Sequence, residues 1–134
     1  MIKQSILFLA TATLASAAPP SIWDGVYTAE QAARGKKIYV DQCAECHGED
    51  LKGIKDASPL IGDTFLKKWN TRSVGRLIDV TRRTMPTDSP GTLSRPICAD
   101  LVAYLLQENG FPTGKSELDS ASPSLKEITL EPKK

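Results

Sequence analysis

The sequence lacks an excess of either charge and is poor in aromatic residues. Its 134 residues contain 17 Lys and Arg against 16 Asp and Glu, and only 6% of them are aromatic. A balanced charge does not provide the basic surface that nucleic acids bind, so we expect no nucleic-acid partner. The aromatic content is low for the core of one compact domain, and a large apolar cofactor would supply much of the missing apolar surface.

The charges that are present are unevenly distributed along the chain. Residues 52–83 contain eight basic and three acidic side chains, whereas residues 18–51 contain three and six. The basic stretch is therefore a candidate docking surface. Solvated faces of short helices explain the same charges equally well.

The chain also lacks an uninterrupted apolar run of the about 20 residues that are needed to span a bilayer. Its apolar N-terminal segment, residues 6–14, follows Lys3 and precedes Ala15-Ser16-Ala17, which is typical of an export signal with its cleavage site. We expect no membrane span once this signal has been removed. Four segments are predicted: a signal peptide (1–17), an N-terminal loop (18–27), one domain (28–111) and a polar tail (112–134).

The central motif is Cys43-Ala44-Glu45-Cys46-His47, whose C-x-x-C-H spacing is typical of covalent haem attachment. The two thiols can add to the two vinyl groups of one porphyrin edge, and the adjacent imidazole then becomes the proximal ligand of the iron. We predict one haem c, attached through Cys43 and Cys46. Because c-type haem is attached outside the cytoplasmic membrane, we expect a periplasmic protein.

Two other kinds of site use cysteines at a similar spacing. A thiol-disulfide site normally follows a strand, whereas this motif follows a predicted helix. A zinc site would need four ligands, for which only Cys43, Cys46, His47 and Cys98 are candidates, and two of these are sequence neighbours. The third thiol, Cys98, is predicted to be a small buried hydrophobic residue.

Histidine and methionine are so scarce that the iron ligands can be assigned by elimination. His47 is the only histidine, which excludes two histidine ligands from one chain. Met85 is the only methionine left after signal removal, and it precedes Pro86, Pro90 and Gly91 in a segment that cannot be regular. A methionine there has no helix face to fill, so we predict that Met85 is the distal ligand.

Capping residues and apolar spacing predict an all-α domain. Thr28 and Gln31 have the spacing of a capping box, and Gly35 indicates that another backbone approaches the first helix closely. Phe65 and Trp69 are predicted to be core residues or to line the haem. The predicted helices run from Ala29 to about Cys43, from a cap at Asp63 through Trp69, from Val74 (capped by Ser73) to about Arg83, and from Ser94 to Asn109-Gly110.

The polar tail, residues 112–134, has three side chains that we expect could pack on the domain: Leu125, Ile128 and Leu130.

Together these residues resemble class I c-type cytochromes. The likeness covers residues 28–110 and rests on the haem motif, the Ser58-Pro59-Leu60 loop, Met85-Pro86, and the pairs Gly35/Tyr39 and Leu101/Tyr104 on the terminal helices. It implies a cytochrome c fold, with three to five helices around one covalent haem and crossing N- and C-terminal helices.

By this resemblance, Pro59 supplies the carbonyl that orients His47, Met85 is the distal ligand, and the helices cross at Gly35, Tyr39 and Tyr104. Leu60 and Trp69 are also predicted to bind the haem. More narrowly, Met85-Pro86 followed by residues 89–94 and 100–106 resembles small cytochromes that work with quinoprotein (PQQ-dependent) dehydrogenases.

The expected function is that of a monomeric electron carrier between a periplasmic dehydrogenase and another cytochrome or a terminal oxidase, and not that of an enzyme. A thioether opposite an imidazole raises the reduction potential and occupies the last open position on the iron. A small haem peroxidase or gas-binding protein would need that position open. A thiol oxidoreductase would instead be colourless, with a reducible Cys43-Cys46 disulfide.

Overall fold

The computed structural model describes residues 17–134, and the predicted signal peptide therefore lies almost entirely outside the described residues. The described chain is all-helical, as predicted, and has no strand. None of its helices is long and apolar enough to cross a membrane. The five α-helices are α1 (Ala29–Gln42), α2 (Ala44–His47), α3 (Gly62–Trp69), α4 (Val74–Thr84) and α5 (Arg95–Glu108).

The terminal helices α1 and α5 cross at Gly35, which confirms the predicted close approach. A Cβ atom on Gly35 would collide with the backbone carbonyl of Asp100 in α5. One side of the crossing is filled by Tyr39 and Tyr104, whose ring centroids lie 5.3 Å apart. Glycine therefore allows the two helix backbones to approach more closely than any side chain would permit.

Local capping sets the start of both long helices. The Thr28 hydroxyl accepts a hydrogen bond from the Gln31 backbone N–H (3.1 Å), and the Ser94 hydroxyl accepts one from Ile97 (3.4 Å). The full capping box predicted at Thr28 is wrong in its second half. The Gln31 side chain does not bond back to the cap but binds the backbone of Leu118 in the C-terminal segment.

The two middle helices, α3 and α4, begin in different ways. Ser73 caps α4 as predicted, because its hydroxyl accepts a hydrogen bond from the Arg76 N–H at 3.1 Å. The cap predicted at Asp63 is wrong: the N-cap residue of α3 is Ile61, two residues earlier, and the helix begins at Gly62. Asp63 instead lies in the first turn, where a carboxylate interacts favourably with the helix dipole.

The C-terminal segment 112–134 packs on the helices and contains one 3₁₀ turn, Pro123–Lys126. Thr129 forms an isolated antiparallel bridge with Ser73, immediately before α4. At the other end of the chain, a 3₁₀ turn (Ile22–Asp24) brings the Trp23 indole N–H within 3.0 Å of the Glu131 carbonyl. Four leucine and isoleucine side chains of this segment are buried: Leu118, Leu125, Ile128 and Leu130.

Candidate haem site

The C-x-x-C-H motif lies at the junction of α1 and α2. Cys43 separates the two helices, and its carbonyl accepts a hydrogen bond from the His47 N–H at 2.9 Å, so that both cysteines and the histidine share one turn. The turn ends at Gly48, whose φ of 81° is in the region that favours glycine. Cys43 is half-buried and Cys46 is exposed.

The His47 imidazole is fixed by the loop that follows the motif. Its Nδ1 atom lies 2.9 Å from the backbone carbonyl oxygen of Ser58. If Nδ1 donates its proton to this carbonyl, the other ring nitrogen, Nε2, is unprotonated and able to bind a metal. The loop itself is held by backbone hydrogen bonds from Gly53 to His47 (2.8 Å) and from Ile54 to Cys46 (3.0 Å).

The carbonyl that orients His47 is that of Ser58, and not that of Pro59 as the resemblance implied. Proline restricts the residue before it to extended conformations, because its ring clashes with the helical ones. Pro59 therefore acts on this contact through the backbone of its neighbour. Leu60, the next residue, is half-buried and packs against the core.

Met85 is the first residue after α4. Its N–H donates to the Thr81 carbonyl (2.9 Å), and its backbone then becomes extended. The side chain is half-buried, unlike the apolar residues Leu77 and Ile78 on the inner face of α4, which are buried. Trp69, at the end of α3, is buried, with its ring centroid 6.3 Å from that of Phe65.

Burial raises the pKa values of two cysteine thiols, one in the motif and one in α5. Burial, and secondarily the thiols of Cys98 and Cys46, raise the pKa of Cys43 to about 11. Cys43 is therefore a neutral thiol near pH 7. Cys98 is fully buried in α5, as predicted for a small hydrophobic residue, and its pKa is also raised by burial.

Sequence reasoning missed two side chains that hold the site. The Tyr39 hydroxyl donates a 2.6 Å hydrogen bond to the Gly48 carbonyl, and burial raises the pKa of this phenol above its usual value. Asn109 donates to the Leu60 carbonyl (3.0 Å) and accepts from the Gly62 N–H (3.0 Å). From the sequence, Tyr39 was assigned only to the helix crossing and Asn109 only to a helix end.

The surroundings of the three cysteines bear on the two alternative sites. Within residues 17–134, no three side chains of His, Cys, Asp and Glu are grouped so that they could hold a metal ion. Over the same range the cysteines are free, and Cys43 follows a helix instead of a strand. The helix before Cys43 is unlike the strand that normally precedes a thiol-disulfide site.

Comparisons with known proteins identify the family of the chain. The family described as "Cytochrome C oxidase, cbb3-type, subunit III" matches residues 30–105, which is more than half of the chain and includes the whole motif and Met85. The chain belongs to this cytochrome c family. It is a class I c-type cytochrome with one covalently attached haem c, as the resemblance implied, and its role lies in electron transport.

Two similar proteins are named as dehydrogenases. The chain is 33% identical over 79 residues to the thiosulfate dehydrogenase of Stutzerimonas stutzeri (strain A1501), a match that covers 54% of the chain but only 26% of that protein. It also resembles the crystal structure of the sulfane dehydrogenase SoxCD from Paracoccus pantotrophus, with a TM-score of 0.57 and 25% identity over 88% of this chain and 68% of that one. The chain thus corresponds to about a quarter of the length of the first relative.

The residues present fit a haem c. Covalent attachment needs two thiols and an imidazole in one turn, which the junction of α1 and α2 provides. A ligating histidine needs a hydrogen-bond acceptor for its second ring nitrogen, and the Ser58 carbonyl stands within 2.9 Å of Nδ1. The chemistry and placement of this donor set therefore agree with the cofactor of the family.

Proposed function

We propose that this chain is a periplasmic electron carrier whose haem is attached through Cys43 and Cys46, with His47 and Met85 as axial ligands. When bound, the haem supplies a one-electron iron couple. The observation that carries the proposal is the 2.9 Å contact between His47 Nδ1 and the Ser58 carbonyl. It orients the imidazole and leaves Nε2 as the ligand atom.

Each residue of the site has a separate task in this proposal. The thiols of Cys43 and Cys46 hold the porphyrin edge, while Tyr39 fixes the end of the turn through the Gly48 carbonyl. Leu60 and Trp69 contribute apolar surface, together with Pro59 in the same loop. Met85 supplies a soft neutral donor, which stabilises the ferrous state and occupies the position that a substrate would need. We therefore infer a carrier and not an enzyme.

The proposed partners are a dehydrogenase as electron donor and another cytochrome or a terminal oxidase as acceptor. The two relatives support a dehydrogenase in general terms, because both are named as dehydrogenases. A quinoprotein dehydrogenase is the narrower proposal and rests on the resemblance of residues 85–106. We propose that the carrier itself is a monomer.

The basic stretch 52–83 supports a partner with an acidic docking face. Among the residues that the structure describes, Lys52 is the only one of these eight basic side chains that forms an ion pair. Lys67 and Lys68 on α3 and Arg82 and Arg83 on α4 are exposed. Unpaired surface cations of this kind steer association with an oppositely charged partner.

Haem attachment is tested with a double variant and a matched control. Cys43→Ala/Cys46→Ala should abolish haem that survives denaturing electrophoresis, and each single variant should retain at most one thioether. Cys98→Ala removes the third thiol and should leave covalent haem unchanged. Covalent haem in the double variant, or its loss in Cys98→Ala, would refute the assignment of the attachment residues.

The spin state of the ferric protein and its rate of cyanide binding distinguish an electron carrier from an enzyme. If both axial positions are filled by protein side chains, its spectrum is low spin, and cyanide binds slowly and weakly. A high-spin spectrum with rapid cyanide binding, or turnover of hydrogen peroxide, would favour a peroxidase. A quinoprotein dehydrogenase that reduces the ferric protein directly would support the narrower partner assignment.

A further inference from the structure

The C-terminal segment is joined to the body of the protein by hydrogen bonds at both of its ends. Near its start, the Gly114 N–H donates to the Tyr27 carbonyl at 2.7 Å, and the Leu118 backbone makes two hydrogen bonds with the Gln31 side chain, at 2.8 and 3.1 Å. Near its end, Leu130 exchanges two backbone hydrogen bonds with the connection between α3 and α4, through Thr71 (2.8 Å) and Arg72 (2.9 Å).

The later part of this segment holds the first turn of α4. The Val74 N–H, the first of the helix, donates to the Ile128 carbonyl at 2.8 Å. Gly75 is buried against Leu125, and a Cβ atom on it would lie 3.0 Å from the Leu125 carbonyl oxygen. The first turn of a helix has N–H groups without partners inside the helix, and here the C-terminal segment satisfies one of them.

A second connection reaches the middle of α4. Arg95, at the start of α5, donates to the Ser120 carbonyl of the C-terminal segment at 2.6 Å. The same guanidinium forms an ion pair with Asp79 of α4. The segment is therefore linked to α4 directly at its first turn and through α5 at its middle.

We propose that the C-terminal segment is a positioning element for Met85. Helix α4 has 11 residues and Met85 follows it immediately, so the segment holds one end of a rigid element about 16 Å long whose other end carries the sulfur. A hydrogen-bonded helix moves as a unit, and loosening its first turn therefore loosens Met85. This inference rests on the proposed function, since it takes Met85 as the distal ligand.

The chain offers a matched pair of variants for the test. Leu125 and Leu118 are 2% and 4% exposed, respectively, and both lie in the C-terminal segment. Leu125 packs on α4 at Gly75, whereas the backbone of Leu118 is bonded to Gln31 in α1. Each Leu→Ala change removes the same number of buried methyl and methylene groups, so the two variants should lose stability by the same mechanism and to a similar degree.

The measurement is the rate at which free imidazole replaces the sulfur ligand in the ferric holoprotein. If Leu125→Ala weakens the bond between the Met85 sulfur and the iron by about 1.4 kcal/mol, imidazole should replace the sulfur about ten times faster than in the wild type. Leu118→Ala should remain close to the wild-type rate. Gly75→Ala is a milder second variant, because its methyl group displaces the Leu125 carbonyl by a few tenths of an ångström. It should also raise the rate while leaving the protein folded.

The outcomes separate this inference from the proposed function. Equal rates in Leu125→Ala and Leu118→Ala, or a wild-type rate in Gly75→Ala, would overturn the positioning role while leaving Met85 as ligand. A wild-type ferric protein without the red absorption band of a sulfur-to-iron bond would overturn the proposed function itself, and the positioning role with it.

Discussion

Replacing Gln31 with alanine tests whether the C-terminal segment is an integral part of the fold. Gln31 is the one buried polar residue in the described chain, at 2% exposure. Its amide donates to the Leu118 carbonyl and accepts from the Leu118 N–H, at 3.1 and 2.8 Å. The partners are separated by 87 residues in sequence, so this pair of bonds connects α1 to the far end of the chain.

The cost of Gln31→Ala follows from the groups that it leaves behind. Two buried backbone groups of Leu118 lose their partners, and each unsatisfied group costs about 1–3 kcal/mol. The better helix propensity of alanine offsets only a few tenths of a kcal/mol. We therefore expect a loss of about 2–5 kcal/mol in the free energy of unfolding.

The assay is urea unfolding of the ferric holoprotein, with Gln42→Ala as the control on the same helix. With an m value of roughly 2 kcal/mol per molar, the midpoint should fall by about 1–2 M in Gln31→Ala. Gln42 is exposed and its variant should unfold like the wild type. Gln31→Glu keeps the length of the side chain but loses the donor, and should also be destabilised. Equal midpoints for the two alanine variants would show that the bonds between Gln31 and Leu118 do not stabilise the fold.

Two further predictions concern the α1–α5 crossing and the ion pairs beside it. Gly35→Ala should lower the free energy of unfolding by about 1–3 kcal/mol in urea titrations, because the new methyl group collides with the Asp100 carbonyl; an unchanged midpoint would contradict the crossing. The Arg34 guanidinium lowers the pKa of Glu117, so this carboxylate contributes stability above its unfolded-state pKa that is lost as pH falls through the lower folded-state value. The free energy of unfolding should be slightly lower in Glu117→Gln than in the wild type at neutral pH, and this difference should vanish in acid. A difference that grows in acid would show that the pKa of Glu117 is not lowered by folding.

Local signals in the sequence predicted where three of the helices begin. Thr28, Ser73 and Ser94 each accept a hydrogen bond from the N–H three residues later, and these contacts need no information from the rest of the fold. Gly35 was also informative, because a glycine inside a strong helix has an energetic cost that a close backbone contact explains.

The sequence could not predict contacts that depend on how distant segments pack. The capping-box spacing favoured a local partner for the Gln31 amide, but burial against the C-terminal segment gives it two bonds to Leu118 instead. Whether the Ser58 or the Pro59 carbonyl faces His47 depends on the exact backbone path of the loop, because the two residues are neighbours in sequence. The polar composition of residues 112–134 likewise gave no sign that Leu118 is buried with the three other apolar side chains.

The red region of the ferric absorption spectrum shows whether Met85 ligates the haem iron together with His47. The wild-type protein should show the weak band of a sulfur-to-iron bond. Met85→Ala should retain covalent haem while losing the band, and its reduction potential should fall because the ligand that favours ferrous iron is gone. A band that is absent from the wild type, or one that survives unchanged in Met85→Ala, would show that Met85 is not the iron ligand.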